Sequence, residues 1–587
     1  MGEHIGIFVA WPYANGDLHL GHVAGVYLPA DIFARFHRLR GNHVLMVSGS
    51  DTHGTPVTLQ AEAQGIPPRA YVERYHRRFL NDWARLGISF DLFTHTDTEN
   101  HAAVAQDIFR GLYDKGLIAL GATTQLYCET DRKFLPDRYV EGSCPHCGYP
   151  DARGDQCDNC GRTLDAVDLI APRCRLCGRP PVSREARHFF LDLPALQEHV
   201  LAYIEARTHW RPSVRNFVLR YVRDGLRPRA ISRDLSWGIP IPVPGYEGKV
   251  MYVWFEAVIG YLSASIERAR LQGDPTAWEA WWRDPDARGY YFIGKDNIPF
   301  HAVIWPAELM GYDPTLALPY DIPANEFLTL EGAQFSTSRA WAVWLPDYLA
   351  RYAPDPLRYY LTSVAPETGD SAFTWQGFVE HTNNEVLATW GNLVQRVVSF
   401  AYSRWDGQVP APGALDERDT ALLDAIARGF DTVGDLYAGA TFKAALQETM
   451  GLARAVNRYL DEKAPWFQIK ADREAAATTI FVALRAIDSL KLLFAPVLPF
   501  TSERVQSLLG HDRPLFGRST IERVDEATRA HEALVYHPAP EEGAVDRWRP
   551  SALEPGQRLA RPSALFEKLD DELVVQEQER LRRAAEA

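Results

Sequence analysis

Residues 10–22, AWPYANGDLHLGH, constrain the fold more than any other part of the chain. The apolar run that leads into them, residues 5–11, has the length and composition of a buried strand. A tight turn at Asn15-Gly16 follows, and a helical pattern then runs from His19 to Arg40 and stops at Gly41. A strand, a glycine-bearing loop and a helix start together present N–H groups and a partial positive charge to a phosphate. The segment therefore predicts a βα unit that binds a nucleotide.

Two histidines stand on the first turn of that predicted helix. His19 and His22 are three residues apart, so they share a helix face and can both reach a bound nucleotide. Gly21 allows the ligand to approach the backbone closely. The alternative is a βα unit with two surface histidines, and the pair alone does not decide between them.

Length and residue pattern divide the chain into several parts. A chain of 587 residues is too long for one core and suggests three or four domains. Residues 1–114 alternate strand and helix patterns as βαβ units do, and strand patterns resume in residues 231–326. Residues 115–230 read as an insertion, 327–378 as a connecting region and 379–510 as long helices. Residues 511–587 are rich in Pro, Arg and Glu, which predicts weak structure with a final charged helix.

Charge and hydropathy exclude some classes of protein. The formal net charge of −14 argues against non-specific polyanion binding over the whole surface. A local basic face can still bind RNA phosphates, and candidates lie close together at Arg215, Arg220, Arg223, Arg227 and Arg229. The alternative is a solvated helix face. The sequence contains no secretory signal and no apolar run of membrane-spanning length, so we expect a cytoplasmic protein without membrane contact.

All seven cysteines fall between positions 128 and 177. Four of them, Cys144, Cys147, Cys157 and Cys160, form two C-x₂-C pairs whose spacing predicts a tetrahedral structural zinc site. Disulfides are the alternative, which a cytoplasmic location disfavours.

The other three cysteines suggest a second zinc site. The remaining C-x₂-C pair, Cys174 and Cys177, has no fourth C-x₂-C pair as a partner. Cys128 and Asp131 have the same spacing, and zinc accepts a carboxylate oxygen, so these four residues are a candidate site. Three free cysteines are the open alternative.

The segment PYANGDLHLGH resembles the ATP-binding signature of class I aminoacyl-tRNA synthetases, and its first five residues resemble the methionyl-tRNA synthetase version. Further similarities follow in order: GSDTHGTP (49–56), YVW (252–254), FIGKD (292–296) and NRYLDEKAPW (457–466). The resemblance implies an α/β Rossmann-like catalytic domain with a zinc-binding insertion, followed by an all-α anticodon-binding bundle. It also implies ATP-dependent activation of L-methionine and its transfer to tRNA(Met), for initiation and elongation of translation.

The resemblance assigns roles to residues of the catalytic part. Asp51 would hold the methionine ammonium group, and the slot for the thioether would be formed by Trp11, Pro12, Tyr13, Trp254, Ala257, Val258, Tyr261 and His301. ATP, accompanied by Mg²⁺, would be bound by His19, Gly21, His22, Gly294, Asp296 and Thr337.

One motif departs from the family. Residues 334–339, QFSTSR, stand where the family has KMSKS, so Gln334 and Thr337 replace both lysines. Those lysines neutralise the charge that develops on pyrophosphate. Arg339, the next residue, is a fixed cation that can assume part of this role, so we group it with His19 and His22 as catalytic.

The helical region carries the residues that the resemblance assigns to the anticodon. Asn392 and Arg396 share a helix face, and Trp466 follows Pro465 at a helix end. Single-stranded RNA loops are recognised by stacking on aromatic rings and by hydrogen bonds to base edges, which these side chains supply.

Three functions fit these observations. The first is a methionine–tRNA ligase acting as a monomer. The second, prompted by the altered KMSKS loop, is a catalytically weakened or regulatory tRNA-binding relative. The third is a class I synthetase for another apolar amino acid, although the chain is short for the editing enzymes of that group.

Overall fold

The computed structural model describes residues 2–154, 157, 159–160, 162, 164–336 and 340–586. Thr337 and Arg339, two of the predicted site residues, lie outside the described residues.

The N-terminal part alternates strands and helices, as the sequence predicts. A π-helical turn, Val23–Tyr27, joins the first two helices. The elements in chain order are β1 (His4–Val9), α1 (Leu20–His22), α2 (Leu28–Leu39), β2 (His43–Ser50), α3 (Thr55–Gln64), α4 (Pro68–Leu86), β3 (Leu92–His95) and α5 (Glu99–Asp114).

An insertion follows that builds two small antiparallel sheets. Its elements are β4 (Ile118–Cys128), β5 (Lys133–Phe134), β6 (Val140–Ser143), β7 (Ala152–Arg153), β8 (Ile170–Cys174), β9 (Val182–Leu191), α6 (Leu193–Ala206), α7 (Pro212–Arg223) and β10 (Arg229–Ala230). One sheet has the order β10-β9-β4-β5, with Cys128 at the end of β4, and the other has the order β7-β6-β8, with Cys174 at the end of β8.

The α/β part then resumes. Its elements are β11 (Ser232–Arg233), β12 (Val250–Met251), α8 (Val253–Leu271), α9 (Glu279–Trp282), β13 (Arg288–Gly294), α10 (Trp305–Tyr312) and β14 (Ala324–Asn325).

Five strands from both halves form one parallel sheet with the order β14-β13-β1-β2-β3. The strand order reverses between β1 and β13, where Val9 lies opposite Phe292. In open α/β sheets, ligands bind outside the carboxyl ends of the strands at this reversal point. The topology therefore places the ligand site beside residues 10–13 and 294–297.

A connecting region and a helical bundle complete the order. The connecting elements are β15 (Leu328–Leu330), β16 (Ala333–Gln334), α11 (Leu345–Arg351), α12 (Pro354–Ser363), β17 (Ser371–Phe373) and α13 (Trp375–His381). A π-helical segment, Thr382–Gly391, leads into the bundle. The bundle consists of α14 (Asn392–Arg404), α15 (Glu417–Ala438), α16 (Phe442–Lys463), α17 (Pro465–Gln468), α18 (Arg473–Phe494) and α19 (Pro499–Leu508).

A buried ionic cluster ties these parts together. The Asp31 carboxylate on α2 accepts from Arg35 at 2.9 Å and from Arg358 on α12 at 2.6 Å. Arg358 also donates to the Val497 carbonyl, between α18 and α19, at 2.9 Å. Because breaking a buried pair leaves an uncompensated charge, this cluster fixes the position of the bundle against the α/β part.

The C-terminal region differs from the sequence expectation. The prediction of weak structure is wrong for part of this region. Two strands, β18 (Arg518–Asp525) and β19 (Ala530–His537), form a hairpin that continues the main sheet. Strand β19 pairs antiparallel with β3, placing Leu534 opposite Phe93. The apolar run at residues 533–536 is short and lies in a polar context, and its partner strand is more than 430 residues away in the chain, so local composition does not reveal it. The predicted final charged helix is confirmed as α20 (Glu572–Glu586).

His531 fixes this hairpin to the catalytic part. Its Nε2 lies 2.9 Å from Glu267 on α8, and its Nδ1 lies 3.7 Å from Glu526. Burial alone would lower the pKa of His531, but the two carboxylates raise it to about 9. A group whose pKa is raised on folding stabilises the fold fully below its unfolded pKa near 6.5, and the stabilisation is lost as pH rises through 9.

We therefore expect the wild-type melting temperature to fall between pH 6.5 and 9.5 more steeply than that of His531→Gln. The upper bound on this contribution is about 3 kcal/mol. The control is His537→Gln, because His537 pairs with Glu522 on the same hairpin but its side chain is 47% exposed. Equal pH dependence in wild type and His531→Gln would contradict the assignment.

No helix in the described ranges combines the length and apolar character needed to cross a bilayer.

Candidate active site

A cavity of about 450 Å³ opens at the reversal point of the main sheet. It brings together fourteen of the residues predicted from the sequence. Those assigned to methionine are Trp11, Pro12, Tyr13, Asp51, Trp254, Ala257, Val258, Tyr261 and His301, and those assigned to ATP are His19, Gly21, His22, Gly294 and Asp296.

Asp51 is a buried carboxylate in the wall of this cavity. Its backbone is fixed by bonds from the Ala14 N–H and to the Pro12 carbonyl, both 2.8 Å. The side chain is within hydrogen-bond distance of the His53 N–H at 3.3 Å. Burial raises the pKa of Asp51 well above its usual value, and the Glu256 carboxylate raises it further. A cation bound in the cavity would stabilise the ionised form of Asp51 and so lower this pKa. The ammonium group of an amino acid is such a cation.

A buried network lies behind Asp51. Glu256 is fully buried and lies 2.8 Å from Nδ1 of His53 and 2.6 Å from Nε2 of His101. Burial would raise the pKa of Glu256, but the two histidines outweigh it and hold the pKa below its usual value. This network was not predicted from the sequence, although His53 stands within the matched segment GSDTHGTP. His101 and Glu256 carry no local signal, since their pairing is visible only in three dimensions.

The far end of the cavity is apolar apart from one hydrogen-bonded pair. The Tyr261 hydroxyl lies 2.7 Å from Nε2 of His301, and Nδ1 of His301 lies 2.9 Å from the Asn297 carbonyl. A carbonyl only accepts, so Nδ1 carries the proton and Nε2 accepts from Tyr261. Burial lowers the pKa of His301 to about 4, so the ring is neutral at pH 7. A neutral, aromatic surface of this kind suits a thioether.

Trp11 occupies a space that two glycines leave open. A Cβ at Gly49 would lie 2.1 Å from the indole, and one at Gly260 would lie 2.6 Å from it. Both positions therefore exclude a side chain as long as Trp11 keeps this orientation. The indole in turn contacts the His101 ring, with a centroid separation of 6.2 Å, and so links the cavity wall to the Glu256 network.

The two signature histidines stack on each other at the cavity mouth. Their ring centroids are 3.6 Å apart, and the Phe335 ring stacks on His19 at 4.6 Å. Burial lowers the pKa of His19 well below its usual value, with a further contribution from His22, and burial lowers the pKa of His22 to about 4. Both rings are therefore neutral hydrogen-bonding groups at pH 7 in the absence of a phosphate.

Gly21 leaves room for this stack. A Cβ there would lie 3.0 Å from the His19 ring and 3.2 Å from Phe335. Phe335 also lines the cavity. It stands within the altered loop, and no role was predicted for it from the sequence. Its neighbour Ser336 forms a two-way backbone pair with Trp341, at 2.9 and 3.0 Å, so the described ends of the loop are fixed beside His19.

The cysteines form two clusters in the insertion. The four thiol sulfurs of Cys144, Cys147, Cys157 and Cys160 lie within 4.8 Å of one another. Measured pairs are 3.9 Å for Cys144–Cys160 and 3.6 Å for Cys147–Cys157. Tetrahedral zinc with Zn–S bonds of about 2.3 Å requires sulfurs about 3.8 Å apart, so the first cluster has the dimensions of a zinc site.

The second cluster contains the predicted carboxylate. Cys128, Asp131, Cys174 and Cys177 offer donor atoms that also lie within 4.8 Å of one another. Asp131 Oδ2 lies 3.0 Å from the Cys128 sulfur and 3.1 Å from the Cys174 sulfur. The three cysteines and the aspartate are thus brought together as the second prediction requires.

Comparisons with known proteins agree along the whole chain. The family model "tRNA synthetases class I (M)" matches residues 5–398, and "Anticodon binding domain of methionyl tRNA ligase" matches residues 409–535. A methionine–tRNA ligase from Thermomicrobium roseum is 68% identical over 581 residues, which cover 99% of each chain. One from Chloroflexus aurantiacus is 52% identical and covers both chains completely.

The chain belongs to the methionyl-tRNA synthetase family.

Solved structures of this family have the same architecture. Mycobacterium tuberculosis methionyl-tRNA synthetase in complex with methionyl-adenylate superposes with a TM-score of 0.75 and 26% identity, covering 96% of this chain and all of that chain. The predicted fold class, a Rossmann-like catalytic domain followed by a helical anticodon domain, is confirmed. The hypothesis of a class I synthetase for another apolar amino acid is wrong, and nothing in these comparisons favours a non-catalytic relative.

The third predicted site lies in the helical bundle. Trp466 falls within residues 409–535, which match the anticodon-binding model, whereas Asn392 and Arg396 precede that range. Asn392 and Arg396 are exposed on α14, and the Arg396 guanidinium lies 5.0 Å from the centre of the Trp466 ring. Trp466 is half-buried and packs edge-on against Phe400 at 5.2 Å. The structure brings the three predicted residues onto one face at the start of α14 and α17.

Proposed function

We propose that the chain activates L-methionine with ATP and transfers the methionyl group to tRNA(Met), with the cavity at the sheet reversal as its active site. The observation that carries this proposal is Asp51, a buried carboxylate facing an apolar, aromatic slot. An amino acid with an apolar side chain fits both features. Its ammonium group pairs with the Asp51 carboxylate, and its side chain fills the aromatic slot.

The reaction needs positioning and charge stabilisation and no covalent protein intermediate. A methionine carboxylate oxygen attacks the α-phosphorus of ATP and pyrophosphate leaves. A ribose hydroxyl at the 3′ end of tRNA then attacks the methionyl carbonyl, and AMP leaves.

Each group of cavity residues has a part in the first step. Asp51 fixes the ammonium group, and the slot around Tyr261 and His301 holds the thioether. His19 and His22, at a helix start, donate hydrogen bonds to the phosphates. Gly294 and Asp296 hold the ribose, and Mg²⁺ accompanies ATP.

We propose that zinc occupies both cysteine clusters. The donor sets fit, because four thiolates, or three thiolates and one carboxylate, complete a tetrahedral site with no position left for water. Such closed sites are structural, so the metal stabilises the insertion and takes no part in the reaction.

We expect metal analysis of the purified protein to give two zinc ions per chain. Cys174→Ala is expected to lower this to one and Cys144→Ala to remove the other. The control is His146→Ala, because His146 stands inside the first C-x₂-C pair but is absent from both donor clusters. A value near zero in active protein would contradict the proposal.

We also propose that Asn392, Arg396 and Trp466 contact the anticodon. An exposed cation beside a partly exposed indole supplies a hydrogen-bond donor and an aromatic ring, which are the groups that recognise a base in a single-stranded loop.

We expect Trp466→Ala to lower aminoacylation about 5- to 150-fold while methionine-dependent ATP–pyrophosphate exchange stays intact. This range corresponds to loss of one stacked base, about 1–3 kcal/mol. The control is Tyr402→Ala, because Tyr402 is an aromatic residue on the same helix as Arg396 and is 38% exposed. Equal loss in exchange and aminoacylation by Trp466→Ala would show a structural role.

The choice of amino acid is tested by charging tRNA with each of the twenty amino acids separately. We expect methionine to be transferred at least a hundredfold faster than leucine or isoleucine, because their branched chains do not fill a slot shaped for an unbranched thioether. Comparable rates would overturn the proposal.

Since one chain supplies every residue assigned to the reaction, we further propose that it acts as a cytoplasmic monomer.

A further inference from the structure

Glu256 stands behind the methionine slot and is linked to two of its walls. It is fully buried on α8, and one carboxylate oxygen lies 2.8 Å from Nδ1 of His53 while the other lies 2.6 Å from Nε2 of His101. Among the described residues, those that line the active-site cavity do not include Glu256. A buried carboxylate and its partners typically stabilise a fold no better than apolar residues of similar volume, so stability alone does not explain this network.

The first partner leads to Asp51, the acidic wall of the slot. The His53 backbone N–H lies 3.3 Å from Oδ1 of Asp51, two residues earlier in the chain. The His53 ring also meets the Trp237 ring edge-on at 5.4 Å, and the Trp237 indole donates to the Thr52 carbonyl at 2.7 Å. Glu256 and Trp237 therefore hold the His53 ring, and with it the backbone beside the carboxylate that faces the ammonium group.

The second partner leads to Trp11, the aromatic wall. Nδ1 of His101 lies 2.8 Å from the Ser263 hydroxyl, which donates to the Gly260 carbonyl at 3.1 Å. Gly260 leaves room for the Trp11 indole, and the indole also lies beside the His101 ring. A chain of three hydrogen bonds thus runs from Glu256 to the residue against which Trp11 packs.

We propose that Glu256 is a positioning residue for methionine, which fixes the acidic wall and the aromatic wall of the slot relative to each other through His53 and His101. The separation of these walls decides whether one amino acid reaches both, and misplacement of a positioned group by about 1 Å can cost about 10²-fold. This inference rests on the proposed function, because it concerns the amino acid that the slot takes.

The first variant is Glu256→Leu, which has a similar volume but removes both hydrogen bonds. We expect KM for methionine in ATP–pyrophosphate exchange to rise about 10- to 100-fold, because both walls lose their support. The kcat at saturating methionine and KM for ATP are expected to stay within about threefold of wild type, since the lost interaction concerns the binding of methionine alone.

Glu256→Gln is the conservative variant. Its amide oxygen can accept from His53 and its amide nitrogen can donate to His101, so two neutral imidazole rings keep their bonds. KM for methionine is therefore expected to lie within about threefold of wild type.

Ser263→Ala tests the same network with a smaller change. The variant removes only the hydroxyl that joins His101 to the Gly260 carbonyl. KM for methionine is expected to rise about 2- to 10-fold, which corresponds to the loss of one ordinary hydrogen bond.

The control is Glu267→Leu on the same helix. Glu267 is also buried, but its carboxylate pairs with His531 of the β18–β19 hairpin at 2.9 Å. This variant is expected to lower the melting temperature and to leave KM for methionine unchanged.

Wild-type KM for methionine in both Glu256→Leu and Ser263→Ala would overturn the inference. An equal rise in KM for methionine and KM for ATP would also overturn it, because Glu256 would then only stabilise the fold, and so would failure of Glu256→Gln to restore KM. A wild-type protein without methionine-dependent exchange would contradict the proposed function, whereas an active wild type with unaffected variants would contradict this inference alone.

Discussion

Replacement of Asp51 by asparagine is expected to abolish methionine-dependent ATP–pyrophosphate exchange. The variant keeps the shape of the side chain but removes the charge that the ammonium group needs. Loss of one partner of a desolvated charge pair costs about 2–5 kcal/mol, which is a loss of about 30- to 5000-fold in affinity for methionine. The control is Asp114→Asn, an exposed aspartate at the end of α5. Normal methionine affinity in Asp51→Asn would refute the assignment.

The raised pKa of Asp51 predicts that methionine affinity depends on pH. Burial and Glu256 raise the pKa of Asp51 in the free protein, so part of the population is protonated at acidic pH. A bound ammonium group favours the ionised form and lowers this pKa, so methionine binding releases a proton. Methionine affinity is therefore expected to increase as pH rises through the raised pKa and then to level off. A methionine affinity that stays constant as pH falls from neutral into the acidic range would contradict the raised pKa of Asp51.

Replacement of Arg339 by alanine is expected to slow adenylate formation about 10²- to 10³-fold, with little change in methionine binding. Both lysines of the KMSKS motif are absent at Gln334 and Thr337, and removal of one preorganised charge stabiliser typically has an effect of this size. Gln334→Lys in the Arg339→Ala background is expected to restore part of the rate, because Gln334 lines the active-site cavity.

The measurement for Arg339 is the rate of the first turnover in a rapid-quench experiment. Arg351→Ala serves as the control, because Arg351 pairs with Glu577 outside the cavity. An unchanged first-turnover rate in Arg339→Ala would show that another group neutralises the pyrophosphate.

The sequence predicted the parts of this fold that are encoded locally. The βα unit around His19 and Gly21, the C-x₂-C pairs and the long helices of the bundle all have short-range patterns of glycine, cysteine or apolar residues. The parallel sheet then follows from the way βα units associate, which is why a motif at residue 11 and one at residue 294 meet in one cavity.

The parts of the fold and the site that could not be predicted depend on contacts between residues that are distant in the sequence. Glu256 pairs with His53 and His101, and no pattern within a window around any of them predicts those bonds. The space that Gly49 and Gly260 leave for Trp11 is likewise a product of packing. Strand β19 could not be predicted from its own residues, because its pairing with β3 defines it.

The most direct test of the account is ATP–pyrophosphate exchange by the unmodified protein, measured with methionine and with no amino acid. We predict methionine-dependent exchange with the turnover of an enzyme, supported by Asp51 and by Arg339 in place of the missing lysines. Absence of methionine-dependent exchange in folded, zinc-loaded protein that still binds tRNA(Met) would contradict the account and identify the chain as a non-catalytic tRNA-binding member of its family.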